Sequence, residues 1–213
     1  MLYGHTLIIC AAFNQKSEEK PMAKKITALM AGSVLLTALT ASPGQSCVGR
    51  ILNLTIDGSP EQKAVGQLMA TYINERTGTT VTLVENPQSA DGSCSTDVCL
   101  QYLKPALASI GGEQPQDEQE GYTKGKEFYL ENKDIVWLKP FAFKGPVAQQ
   151  ADASIAVPVS PREALGKFPV LDRVINKLSG MVSDSLVQEM IQKSQGADPA
   201  AAAKELLKAQ KLI

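Results

Sequence analysis

Residues 50–85 constrain the fold more tightly than any other part of this 213-residue chain. Ile51, Leu52, Leu54 and Ile56 predict a β-strand over 50–56. Asp57-Gly58 then turns the chain. Ser59 suits a helix N-cap, Pro60 suits the first helical position, and Gln62 completes a capping box. Ala64, Val65, Leu68, Met69, Tyr72 and Ile73 recur at helical spacing, and Gly78 ends the helix. Residues 81–85 read as a second strand. The unit is strand–helix–strand, for which a right-handed parallel crossover is the default.

The remainder adds strands and helices around that nucleus. Residues 86–96 read as a loop, 97–102 as a short strand, and the stretch to Ile110 as a helix stopped by Gly111-Gly112. Residues 115–132 predict a polar helix and 135–138 a strand. Residues 141–153 lack periodicity, and 154–159 form a short apolar strand. Ser160-Pro161-Arg162-Glu163 has the pattern of another capping box. Leu171, Val174, Ile175 and Leu178 make an amphipathic face. Ser183 caps a helix carrying Leu186, Val187, Met190 and Ile191, and Asp198-Pro199 opens a last one with Leu206 and Leu207 inward. Strands alternate with helices early and helices cluster late. The expectation is a three-layer α/β domain with a mostly parallel sheet and a helical C-terminal tail.

The N-terminal region carries an address. Lys24 and Lys25 precede an uncharged apolar run over 26–39, and Ala41, Ser42, Pro43, Gly44, Gln45 and Ser46 follow. Basic, apolar, small is the order of a secretory signal peptide beginning at Met22. The run is too short and Thr-rich for a spanning helix, which needs about 20 apolar residues. Residues 1–21 place Glu18 and Glu19 ahead of the basic segment, so they read as a mis-assigned extension, and 22–46 as the signal. The working protein then occupies 47–213, periplasmic or extracellular. Cys47 at the junction is either a lipid anchor or a disulfide partner.

That reading narrows the chemistry. The mature chain holds roughly 170 residues, one domain's worth. Its charge balance is slightly negative, with no basic patch for nucleic acid. The single histidine, His5, falls in the extension. That argues against imidazole metal sites, Ser-His-Asp triads and Cys-His pairs. No paired carboxylates, nucleophile–base set or phosphate loop stands out. Gly111-Gly112 reads as a helix stop, and Lys124 and Lys126 as a solvated face. A non-enzyme without cofactor or metal is expected. Cys47, Cys94 and Cys99 remain, and an oxidising compartment favours a disulfide among them. Cys94–Cys99 is the only pair if Cys47 is lipidated; otherwise Cys47 could bond either.

Several segments together resemble one family. Residues 52–84, LNLTIDGSPEQKAVGQLMATYINERTGTTVTLV, resemble the opening of the glycine betaine/choline-binding proteins of osmoprotectant ABC transporters. Asp97-Val98-Cys99-Leu100-Gln101-Tyr102 is similar to that family's DVYPEY segment, and Val136-Trp137-Leu138-Lys139-Pro140-Phe141 to its crossover. The tail FPVLDRVINKLSGMVSDSLVQEMI…DPAAAAKELLKAQKLI matches along its length. The resemblance implies one lobe of a type II periplasmic-binding-protein fold. Family members are two-lobed clamshells with ligand in the cleft. Here residues 143–160 stand in place of the second lobe.

The resemblance also implies a site: Asp57, Gly58 and Ser59 in the first loop, Tyr102 at the third strand's end, and Phe143 as a second aromatic face. Ordinary packing is the alternative for both aromatic residues. The loop lacks the family's Lys and Phe, and Leu103-Lys104-Pro105 replaces most of a YTGT motif. One aromatic–cation contact contributes about 0.5–2 kcal/mol, whereas a micromolar site needs about 8 kcal/mol. One open lobe with one tyrosine falls short, and a homodimer could rebuild an enclosed site. The implied partners are a quaternary ammonium solute and a membrane ABC permease. A second possibility is a single-lobe envelope interaction module that has lost solute binding.

Overall fold

The computed structural model describes residues 49–86, 92–111, 115–146 and 153–213. The expectations for residues 1–46, and for Cys47 and Gly112, lie outside the described residues.

The first unit forms as the sequence predicts. Strand β1 (Ile51–Ile56) leads into helix α1 (Pro60–Thr77) and returns as β2 (Thr80–Glu85). An 18-residue helix spans about 27 Å, enough to carry the chain back past a six-residue strand of about 20 Å. β1 and β2 pair in parallel, from Ile51 opposite Thr80 to Ile56 opposite Glu85. Gly78 adopts φ 70° as the left-handed cap that ends α1.

Next come β3 (Val98–Tyr102), α2 (Leu103–Ala108), α3 (Glu118–Lys133) and β4 (Ile135–Trp137). A two-residue strand β5 (Lys144–Gly145) precedes β6 (Ser154–Pro161). Four helices close the chain: α4 (Arg162–Lys167), α5 (Leu171–Asn176), α6 (Asp184–Ser194) and α7 (Pro199–Ala209). The strand order is β2-β1-β3-β6-β4, with β5 also against β6. β1 pairs in parallel with β2 and β3, whereas β6 runs antiparallel to β3, β4 and β5.

The sheet separates two cores. Leu52, Leu54, Leu100, Tyr102 and Ala156 face α1, α5, α6 and α7. Cys99, Val157 and Val159 face α2 and α3. Alternating residues of one strand supply opposite cores, as a sheet covered on both sides requires. The three-layer α/β architecture is therefore present, with the helical tail stacked on α1.

Three local details differ from expectation. Ser160 does not cap α4. It belongs to β6, is fully buried, and its hydroxyl donates to the Asp97 carbonyl at 2.7 Å. Sheet burial outweighs a local cap there, and α4 starts without a side-chain cap. At α1, Ser59 accepts from the Gln62 N–H as a cap, but Gln62 reaches past Ser59 to the Asp57 N–H. The polar helix starts at Glu118 rather than Pro115, because the Asp117 side chain accepts from the Glu120 N–H. Ser183 and Asp198 cap α6 and α7 as read from the sequence. A 2.05 Å bond joins Cys94 to Cys99 and ties the preceding loop to β3.

Helix α3 has almost no apolar stripe. Its buried residues are Gly121, Gly125 and Tyr129, spaced four apart. The glycines let the helix backbone approach its neighbours: a Cβ on Gly121 would stand 2.9 Å from Leu107 Cδ1, and one on Gly125 2.4 Å from the Trp137 indole Cη2. Tyr129 stacks on the same ring, centroids 5.2 Å apart. Gly125→Ala should therefore cost about 1–3 kcal/mol, the usual range for overpacking. Denaturant unfolding followed by the fluorescence of Trp137, the only tryptophan, measures it. An unchanged midpoint would show that the contact is not tight.

Candidate functional site

The chain reverses direction around β1. From that strand it moves outward to β2, then returns to the other side as β3. Ligands of open α/β sheets bind outside the carboxyl ends of strands at such a switch point. The residues there are the loop 57–59, which follows β1, and Tyr102, which ends β3.

The loop is built by its own polar atoms. The Ser59 N–H donates to Asp57 Oδ1 at 2.8 Å, and the Asp57 N–H donates to Gln62 Oε1 at 2.8 Å. Gly58 sits at φ 84°, a left-handed conformation that favours glycine. Together these bonds hold Asp57, Ser59 and Glu61 around the first turn of α1, whose free N–H groups and dipole lie at this end.

Tyr102 lies beneath them and is 3 % exposed. Its hydroxyl has no hydrogen-bond partner among the described residues, nor does Gln62 Nε2, although Gln62 is fully buried. Burial pushes the ionisation of the Tyr102 phenol well above its ordinary value, and the negative charges of Asp57 and Glu61 push it further. Gln62 and Ser59 are close enough to act in the opposite direction, yet neither meets the hydroxyl in hydrogen-bond geometry. A donor pair, Tyr102 Oη and Gln62 Nε2, thus lies close to two carboxylates.

Phe143 is fully buried in the core that includes Tyr102, ring centroids 6.4 Å apart and tilted by 54°. The structure thus brings all five sequence-derived candidates to one end of the sheet. Asp57, Gly58 and Ser59 are partly exposed, whereas Tyr102 and Phe143 are closed over. In the sequence Gln62 reads only as a capping residue. Its burial depends on the distant strand β3, and its position in the first turn of α1 was the only local signal. Gly145, which covers the Tyr102 hydroxyl, carries no local signal in the sequence either.

An open groove of about 510 Å³ runs along α1 toward α6 and α7, lined by Ile56, Ala64, Leu83, Met190 and Pro199 among others. Of the five candidates it touches Gly58 alone. Among the described residues no group of three or more His, Cys, Asp or Glu could hold a metal ion, and no helix is long and apolar enough to cross a membrane.

No family model matches the chain, and no curated protein matches it. Solved structures do. One described as a glycine betaine/carnitine/choline ABC transporter superposes with a TM-score of 0.61 at 15% identity, covering 76% of this chain and 98% of that one. Apo YehZ from Escherichia coli gives 0.59 at 12% identity, covering 77% and 99%. At these identities the likeness establishes the fold: an α/β lobe of the periplasmic-binding-protein type.

The unpartnered hydroxyl makes a stability prediction. A buried polar group without a partner costs about 1–3 kcal/mol, so Tyr102→Phe should raise the melting temperature of the solute-free protein. The raised phenol ionisation also sets a pH dependence. Above pH about 10 the unfolded chain releases this proton first, so stability falls as pH rises further. The mutant lacks that contribution and should lose less stability between pH 9 and 11, apart from the other tyrosines, on the order of that one phenol's shift. Thermal melts across that range check both; a mutant less stable than wild type at neutral pH would show that the hydroxyl is satisfied.

Proposed function

We propose that this chain is an exported solute-binding component of an ABC transporter for glycine betaine- or choline-type osmolytes. The observation that carries the reading is the convergence at the β1/β3 switch point. Tyr102 Oη and Gln62 Nε2 are unpaired donors, and Asp57 and Glu61 supply negative charge beside them. A solute with a cationic group and an oxygen acceptor matches both features. The fold, shared with a glycine betaine/carnitine/choline transporter structure, supports the same class of solute.

On this reading the signal over 22–46 delivers the mature chain outside the cytoplasm, free or lipid-anchored through Cys47, where a membrane permease accepts the solute. Tyr102, Asp57, Gly58, Ser59 and Phe143 form the site together with Gln62. Solutes are normally enclosed on most of their surface, and a second copy facing this end would supply the missing wall.

A second reading, an envelope interaction module without solute binding, draws support from the burial of Tyr102 and Phe143. Isothermal titration with glycine betaine and with choline decides between them. The transport reading expects a saturable heat that weakens about tenfold in Tyr102→Phe, the loss of about 1.4 kcal/mol that one hydrogen bond and aromatic contact supplies. Folded protein giving no heat at millimolar solute would leave the interaction module standing.

A further inference from the structure

The short strand β5 lies directly over the Tyr102 hydroxyl. A Cβ on Gly145 would stand 2.5 Å from that oxygen and 2.7 Å from the ring Cε1. Only a residue without a side chain lets backbone come so near. Gly145 therefore seals the site by its bareness.

The seal is lightly fastened. Two residue pairs join β5 to β6, Lys144 opposite Ile155 and Gly145 opposite Ser154. Beyond the sheet, the Lys144 N–H donates to Asp184 Oδ1 at 2.8 Å. The Lys144 ammonium meets Glu118 at 2.9 Å, with both side chains largely in solvent. A pair so exposed contributes little. Phe143, one residue earlier, is fully buried. Firm anchorage thus ends between Phe143 and Lys144. Beneath the seal, Tyr102 Oη and Gln62 Nε2 are both buried and unpaired. The closed arrangement carries the cost of two unsatisfied donors, which an incoming acceptor oxygen would relieve.

We propose that β5 is a strap that closes this site in the solute-free protein, and that a solute's acceptor oxygen reaches Tyr102 and Gln62 when Lys144 and Gly145 lift from β6. Phe143 stays in the core and serves as the hinge. The identity of the solute rests on the reading under Proposed function; the strap does not.

Nitration with tetranitromethane, read by mass spectrometry of the peptide bearing Tyr102, tests the strap. Wild type is compared with Gly145→Ala, which pushes β5 away, and Asp184→Ala, which releases its outer fastening. Tyr102 nitration should rise about tenfold in at least one folded variant, the scale of a local opening made easier, while Tyr72, 1 % exposed, stays protected. If Gly145→Ala does not fold, Asp184→Ala decides. Tyr102 as resistant as Tyr72 in every folded variant overturns the strap, and so does a parallel rise at Tyr72, which signals general loosening. Titration of glycine betaine into the same proteins separates the two proposals. Reactive Tyr102 without binding keeps the strap and removes the solute reading. Binding to wild type with Tyr102 protected in every variant, solute present or absent, removes the strap.

Discussion

The pairing of β6 with β3 fixes nearly everything else at the candidate-site end of the sheet. Tyr102 lies opposite Ala156 and Cys99 opposite Val159. The same strand sets Trp137 opposite Val159 and Gly145 opposite Ser154. A slip of one residue would turn each β6 side chain to the other face. Ala156 would leave the core of α1, and Val157 and Val159 would leave the core of α3. Because both faces are covered, that slip has no cheap alternative, and six of the eight β6 residues are buried. The register of one antiparallel strand thereby places a glycine over a tyrosine.

The antiparallel sense follows from how short the return is. A parallel strand needs a crossover of a dozen or more residues, usually a helix. Between β5 and β6 the chain has eight residues, so it folds back along itself. The Phe141 N–H donates to the Ala156 carbonyl and the Ala156 N–H to the Phe143 carbonyl, continuing the pairing between β4 and β5. β5 and β6 form one antiparallel pair beside Tyr102. Its first strand is the part of the molecule best placed to cover Tyr102.

Local chemistry made much of the fold legible. The β1–α1–β2 unit could be read because cap, apolar spacing and stop agree along one stretch, and the caps at Ser183 and Asp198 follow the same logic. Ser160 misled because its neighbours have a capping pattern while its burial is decided by Asp97, far away in the chain. The docking face of α3 was hidden for a different reason. Glycines carry no apolar signal, and these two act by permitting close approach, Gly121 to Leu107 and Pro115 and Gly125 to Trp137. At the site, the loop 57–59 and Tyr102 could be recognised one segment at a time. Gln62 and Gly145 could not, since each matters only through its distance to Tyr102.

A pair of unsatisfied donors in so closed a place is the kind of local inconsistency that marks function rather than folding. A phenylalanine in place of Tyr102 would spare the core its unpaired hydroxyl, and stability alone would favour it. The neighbouring charges give the same signal. Burial first, and then the charges of Asp57 and Glu61, oppose ionisation of the Tyr102 phenol, which stays a donor. Among the described residues, Asp57 is itself held by the Ser59 N–H rather than by a cation. Its charge is oriented by backbone and left without a countercharge in that bond. Donor below and oriented carboxylate above lie at one end of the sheet, and the backbone that comes closest over the Tyr102 hydroxyl belongs to a strand two residues long.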